Sequence, residues 1–207
     1  LTPGSYEVRY MARPGFNASA STFISISAFS SGGGNSIMSR ISTGNDDVEE
    51  DASDGDMYMD SSDLEIAWEK DDNDQMIGLR FADLQIPEGA VITDAYIQFS
   101  VDETDKNTDS FDVNIYTEDT ANADPFENKN GTVSERTQSA SGVNWKDPAP
   151  WTDEHARGED QQTPDLSALV QAIVDKDGWA AGNAISFILS GNGESYSRRS
   201  AESYEGS

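Results

Sequence analysis

Residues 77–99, IGLRFADLQIPEGAVITDAYIQF, constrain this chain more than any other stretch. Ile77, Leu79 and Phe81 alternate with Gly78 and Arg80, and Ala95, Ile97 and Phe99 alternate with Tyr96 and Gln98. Successive side chains of a strand point to opposite faces, so this period of two gives each strand one apolar and one wetter side. Pro87, Glu88 and Gly89 interrupt the run where the chain must reverse. The two strands are expected to pair as an antiparallel unit. A sheet with one apolar face needs a second layer over it. The expected fold class is therefore all-β, an antiparallel β-sandwich of jelly-roll-like type.

Further strand patterns fit that class. Residues 6–11 (YEVRYM), 22–29 (TFISISAF), 56–60, 63–68, 111–116 (FDVNIY) and 184–189 (AISFIL) are alternating or continuous apolar runs. One helix is expected over residues 164–175, from Pro164 to Asp175, with Gly178 suited to close it. Thr163 is a suitable N-cap, Pro164 fits the first helical position, and Asp165 suits the N-terminal dipole. Leu166, Leu169, Val170, Ile173 and Val174 then form one apolar stripe facing the sheet. Residues 30–35, SSGGGN, read as a flexible linker. This divides the chain into residues 1–34, the tail of a preceding β-domain or a pair of added strands, and residues 35–207, the main module. Residues 122–157 form a long irregular stretch, and a loop of that length in a compact domain is often functional.

Charge narrows the partners. The chain carries 39 acidic against 13 basic residues, a net charge of −26. Nucleic-acid phosphates and anionic lipid surfaces repel such a chain, so no nucleic acid and no membrane is expected as partner. No apolar run approaches the length of a membrane-spanning helix. Without cysteine there is no disulfide framework and no thiolate metal site.

Six pieces in a fixed order carry a family resemblance. They are the acidic opening at residues 46–50, Leu79-Arg80-Phe81, the PEGAVITDAYIQF run from Pro87, the loop tryptophans Trp145 and Trp151, the segment TPDLSALV from Thr163, and RSAESY from Arg199. Over residues 37–206 the chain resembles the DNRLRE-type β-sandwich modules of bacterial extracellular proteins, which include a carbohydrate-binding class associated with alginate. The resemblance implies a secreted, cell-surface setting, with polysaccharide or neighbouring protein subunits as partners. Family members close with one further strand, which this module is expected to lack.

Several residues are candidates for chemistry. Residues 44–51, GNDDVEED, offer the hard oxygen donors that Ca²⁺ takes. Asp46, Asp47 and Glu49, with Glu202 from a distance, are the expected calcium ligands, against the competing role of a solvated acidic loop. Arg80 is expected to form a structural ion pair with Glu202, in the fixed geometry of a guanidinium on a carboxylate. Trp145 and Trp151 flank KDPAP and could stack on sugar rings, or cap the open end of the sandwich. Arg198 and Arg199 form a basic pair suited to a uronic-acid carboxylate or to balancing the acidic loop.

Catalysis has little support. His155 is the single histidine and no G-x-S-x-G elbow occurs. The expected function is a non-catalytic, extracellular glycan-binding module for acidic polysaccharide with structural calcium. The alternative is a structural or adhesive module of a surface fibre, pilus-associated protein or giant adhesin, touching its neighbour through Phe23, Ile24 and Ile26.

Overall fold

A computed structural model describes residues 22–30, 33–69, 73–104, 110–191 and 197–206. The strand pattern at residues 6–11 lies outside them. The chain folds as an antiparallel β-sandwich with one short helix, as the alternation requires. The larger layer runs β10 (Val143–Lys146), β9 (Asp112–Thr117), β11 (Asn183–Gly191), β7 (Asn73–Leu84), β3 (Asp47–Asp51) and β4 (Met57–Tyr58), with β6 (Trp68–Glu69) also paired to β7. The opposing layer runs β2 (Gly33–Arg40), β1 (Phe23–Ser30) and β8 (Val91–Gln98). It is continued by β12 (Arg199–Glu202) and β5 (Asp63–Ile66) through a bridge between Val101 and Ala201.

The core lies between the layers. Ile77, Leu79, Phe81, Phe187 and Leu189 from one side meet Ile24, Ile26, Ala95, Ile97 and Phe99 from the other, all buried. Helix α1 (Ser167–Val174) closes one flank with Leu169, Val170, Ile173 and Val174 turned inward.

Three expectations are corrected. The two strands of residues 77–99 do not pair with each other: β7 pairs with β11 and β3, whereas β8 pairs with β1. Leu84 and Ile86 are fully buried, and the turn closed by Ala90 N–H on Pro87 O carries the chain from one layer to the other. Alternation sets which face is buried but not which strand lies alongside. The helix begins at Ser167 rather than Pro164. Thr163 does not cap it; its N–H donates to Ile97 O and its Oγ1 accepts from Ile97 N–H, so this stretch runs extended along β8. Asp165 Oδ1 takes the Ser167 N–H instead. The expected strand over residues 63–68 is split into β5 and β6 at Ala67, whose φ is +82°.

Gly33 to Asn35 of the glycine-rich stretch belong to β2, which starts at Gly33 opposite Ser30 of β1. Ile24 and Ile26 belong to the chain's own core, so the expected contact of these two with a neighbouring subunit is not available to them.

The outer side of the larger layer is covered too. Phe126 lies flat over Gly78, where an added Cβ would stand 2.5 Å from Phe126 Cζ. Val48, Val133 and Ile188 complete this second apolar cluster, and the Arg136 guanidinium stacks 3.9 Å from the Phe126 ring centroid. The long stretch over residues 122–157 is thus partly a lid on the sheet. Gly78→Ala is expected to lower the unfolding free energy by about 1–3 kcal/mol, the usual cost of overpacking, in urea melts; Phe126→Leu in the same chain should recover part of it.

Candidate binding face

The acidic strand β3 is buried along its whole length. A carboxylate withdrawn from water needs donors, and here the donors are largely backbone N–H groups of other segments. Glu50 accepts from Val133 N–H at 2.6 Å and Ser134 N–H at 3.1 Å, fixing the lid. Glu49 Oε1 accepts from Glu65 N–H at 2.6 Å. Asp47 Oδ2 accepts from Tyr204 N–H at 2.8 Å. Asp46, just before the strand, pairs with Arg80 Nη1 at 2.6 Å.

This arrangement settles where the expected calcium ligands go. Strand alternation turns Asp46 and Glu50 toward the lid, and Asp47 and Glu49 toward β5 and the C-terminal turn. Glu202 lies on β12, with His155 Nδ1 at 3.1 Å from its Oε1. The four candidates are held by four different partners. Among the described residues no group of three or more His, Asp or Glu side chains is placed to hold a metal ion.

The Arg80–Glu202 pair is corrected to Arg80–Asp46. Leu79 and Phe81 face the core, so Arg80 points away from it, and Glu202 belongs to the other layer. Arg80 Nε also donates to Ala123 O at 2.8 Å.

The tryptophans take their competing role. Trp151 is fully buried and Trp145 is 6% exposed. Both lie 6.0 Å from the Phe99 ring, Trp145 stacked at 10° and Trp151 tilted at 40°. Trp151 Nε1 donates to Asp160 O at 3.0 Å. They close one end of the core and offer no ring face to a sugar. Arg199 is equally buried and serves the same loop: its Nε donates to Ala149 O at 2.8 Å and its Nη2 to Pro148 O at 2.6 Å, beside the Phe111 ring. Arg198 pairs with Glu65 and with Glu103. The pair that sequence assigned to a ligand is taken up by the fold.

The outer side of the β2-β1-β8 sheet is exposed in part, although Ser25 and Gln98 on it are buried. Register sets its rows. Arg40, Phe23 and Gln98 stand side by side, then Met38, Ser25 and Tyr96, then Ser36, Ser27 and Asp94. The Arg40 guanidinium lies 4.9 Å from the Phe23 ring centroid. Met38 is 54% exposed. At the far end of β8, Val91 is 58% exposed. Phe23, Tyr96 and Arg40 are each half-buried, held by their neighbours yet presented to solvent. Sequence marked the polar alternates of TFISISAF as the wet side, but gave no hint that Arg40 and Tyr96 would join Phe23 there. That needs the register of three strands from distant parts of the chain.

A polar cup of about 260 Å³ is lined by Gly44, Asn45, Met59, Asp60, Asn128 and Glu205. No protein-family model matches the sequence, and no curated protein matches it either. No helix among the described residues is long and apolar enough to cross a membrane.

Burial pushes the Asp47 carboxyl up to about 7, reinforced by the Glu205 and Asp46 charges and opposed by the Tyr204 N–H. Burial, with Glu202, Asp63 and Glu103 beside it, raises Asp102 to about 6. Both groups bind a proton more tightly folded than unfolded. Their contribution is therefore most favourable below about pH 4 and is lost as pH rises through about 6 for Asp102 and about 7 for Asp47. Asp47→Asn is expected to gain stability over the parent at pH 8 by on the order of 2–4 kcal/mol, and little at pH 4, in chemical melts across that range. Trp151→Ala should cost about 3–5 kcal/mol by the same measurement.

Proposed function

We propose that this chain is a non-catalytic recognition module of a bacterial extracellular protein, and that it holds an extended glycan against the outer face of the β2-β1-β8 sheet. The observation that carries this reading is the row of Phe23 and Arg40 beside Tyr96, half-exposed on the outer side of a sheet. Flat rings accept the C–H faces of sugars, and a ring backed by a sheet is already held in place. Ser27 and Ser36 supply accessible hydroxyls beside the rings for hydrogen bonding to a polyol. A shallow face suits a polymer better than a small molecule, which prefers a deep pocket. The sequence resemblance to carbohydrate-binding modules points the same way.

One observation favours a second reading, a structural or adhesive module that contacts neighbouring protein subunits. Met38 and Val91 are exposed apolar side chains of this same sheet. In that case the face would be covered by protein rather than by sugar.

Affinity electrophoresis through a panel of plant, algal and microbial polysaccharides separates the two. Phe23→Ala and Tyr96→Ala are each expected to weaken retention at least tenfold while leaving the melting temperature within a few degrees. Retention that survives both substitutions would remove the face from the argument. Self-association in sedimentation that Met38→Lys abolishes would favour the protein-contact reading.

A further inference from the structure

The lid on the larger layer meets the turn between β3 and β4 at one corner, and that corner carries an asparagine followed by a glycine. Asn130 Nδ2 donates to Asp56 Oδ1 at 2.6 Å, and Gly131 N–H donates to Gly55 O at 3.0 Å. The approach is close, for a Cβ on Gly55 would stand 3.1 Å from Gly131 N. Asn130 and Asp56 are both exposed. Asp54 belongs to the same turn, its Oδ1 taking the Asp56 N–H at 3.1 Å. Lys129, the base next in sequence, is engaged with Glu135 at 3.2 Å. The Asn130 amide thus docks the lid on an acidic turn, supplying a neutral donor where another carboxylate would be repelled.

Asparagine before glycine is a chemically reactive pair. Glycine puts no side chain in the way of its own nitrogen, so that nitrogen can reach the asparagine side-chain carbon. Having given its proton to solvent base, Gly131 N bonds to Asn130 Cγ. The Cγ–Nδ2 bond breaks, and Nδ2 takes up a proton and leaves as ammonia. Water then opens the cyclic imide at either of its carbonyls. One opening gives aspartate; the other gives isoaspartate, whose backbone is longer by one carbon. Water is the sole co-reactant. While the corner is docked, Gly131 N–H is held by Gly55 O, so the first step belongs to the moments when the corner lifts.

We propose that Asn130 is a deamidation site, and that its conversion releases this corner of the lid from the turn between β3 and β4. The product carries a carboxylate where the Nδ2 donor stood, facing Asp56. A hydrogen bond is lost and like charges replace it. In isoaspartate the lengthened backbone also draws Gly131 N–H away from Gly55 O. The change is one-way, because the ammonia departs. The rest of the lid is held separately, by Phe126 over Gly78 and by Glu50 on Val133 N–H, so the release is confined to the corner. The inference concerns the larger layer and does not rest on the glycan reading.

The test incubates the whole folded chain at pH 8 in heavy-oxygen water, followed by digestion in ordinary water so that conversion during digestion carries no label. Trypsin, cutting after Lys129 and Arg136, frees residues 130–136 and separates this site from Asn192-Gly193, the other Asn-Gly pair of the sequence. Label is expected in that peptide within weeks, appearing more slowly than in the same chain unfolded in urea. In Asn130→Asp, exchange of the Gly131 amide, followed by NMR, is expected to quicken at least tenfold over the parent, with the Val133 amide unchanged. No label at residues 130–136 of the folded chain would overturn the site. Labelling as fast as in urea would overturn the control of the reaction by docking. A Gly131 amide that exchanges no faster in Asn130→Asp would overturn the release.

Discussion

Buried carboxylates tie this molecule together. Strand β3 carries an acidic side chain at four of its five positions and lies wholly inside the fold. Desolvating so many carboxylates is tolerable only where each finds a donor, and the donors named above come from four separate segments. Glu50 fastens the lid at Val133, Glu49 the start of β5 at Glu65, Asp47 the C-terminal turn at Tyr204, and Asp46 the outward arginine of β7. Arg199 does the converse, gathering the carbonyls of Pro148 and Ala149. Polar groups here do the work that a longer apolar core does elsewhere, in keeping with a hydrophobic fraction of only 35%.

What could be read in the sequence follows from which physical signals are local. Alternation is local, so the buried positions of β7, β8, β9 and β11 were legible. The apolar stripe of α1 was equally plain. Strand pairing is not local, which is why β7 and β8 read as partners although each pairs elsewhere. Thr163 looked like a cap because its only visible neighbours were helical; its hydroxyl was claimed by Ile97, 66 residues away in sequence. The acidic run reads either as calcium ligands or as a solvated loop, because composition carries no information on burial. The tryptophans were ambiguous for a related reason. An aromatic ring near prolines is as useful for closing a core as for stacking on sugar, and only the position of Phe99 decides between them.

The two outer surfaces of the sandwich have thereby been given different fates. The lid with Phe126 occupies the larger layer, and the face proposed for recognition belongs to the smaller one. There the side chains come from β1, β2 and β8, whose mutual register is set by core residues Ile24, Ile26, Ala95 and Ile97 behind them. The side chains of the face are thereby aligned by the core residues behind them, a favourable arrangement for any surface that must present several contacts at once.

The pairing of β12 with β5 has a kinetic corollary. Ala201 lies against Leu64, and Ser203 Oγ reaches Ser61 O across 142 positions of sequence. Edges this far apart close late, since the loop between them must be ordered before the contact returns anything. During synthesis on the ribosome the β5 edge must wait until residues 199–202 emerge. A strongly negative polypeptide is well suited to that wait, because mutual repulsion between nascent chains disfavours the edge-to-edge association that an unpaired strand otherwise invites.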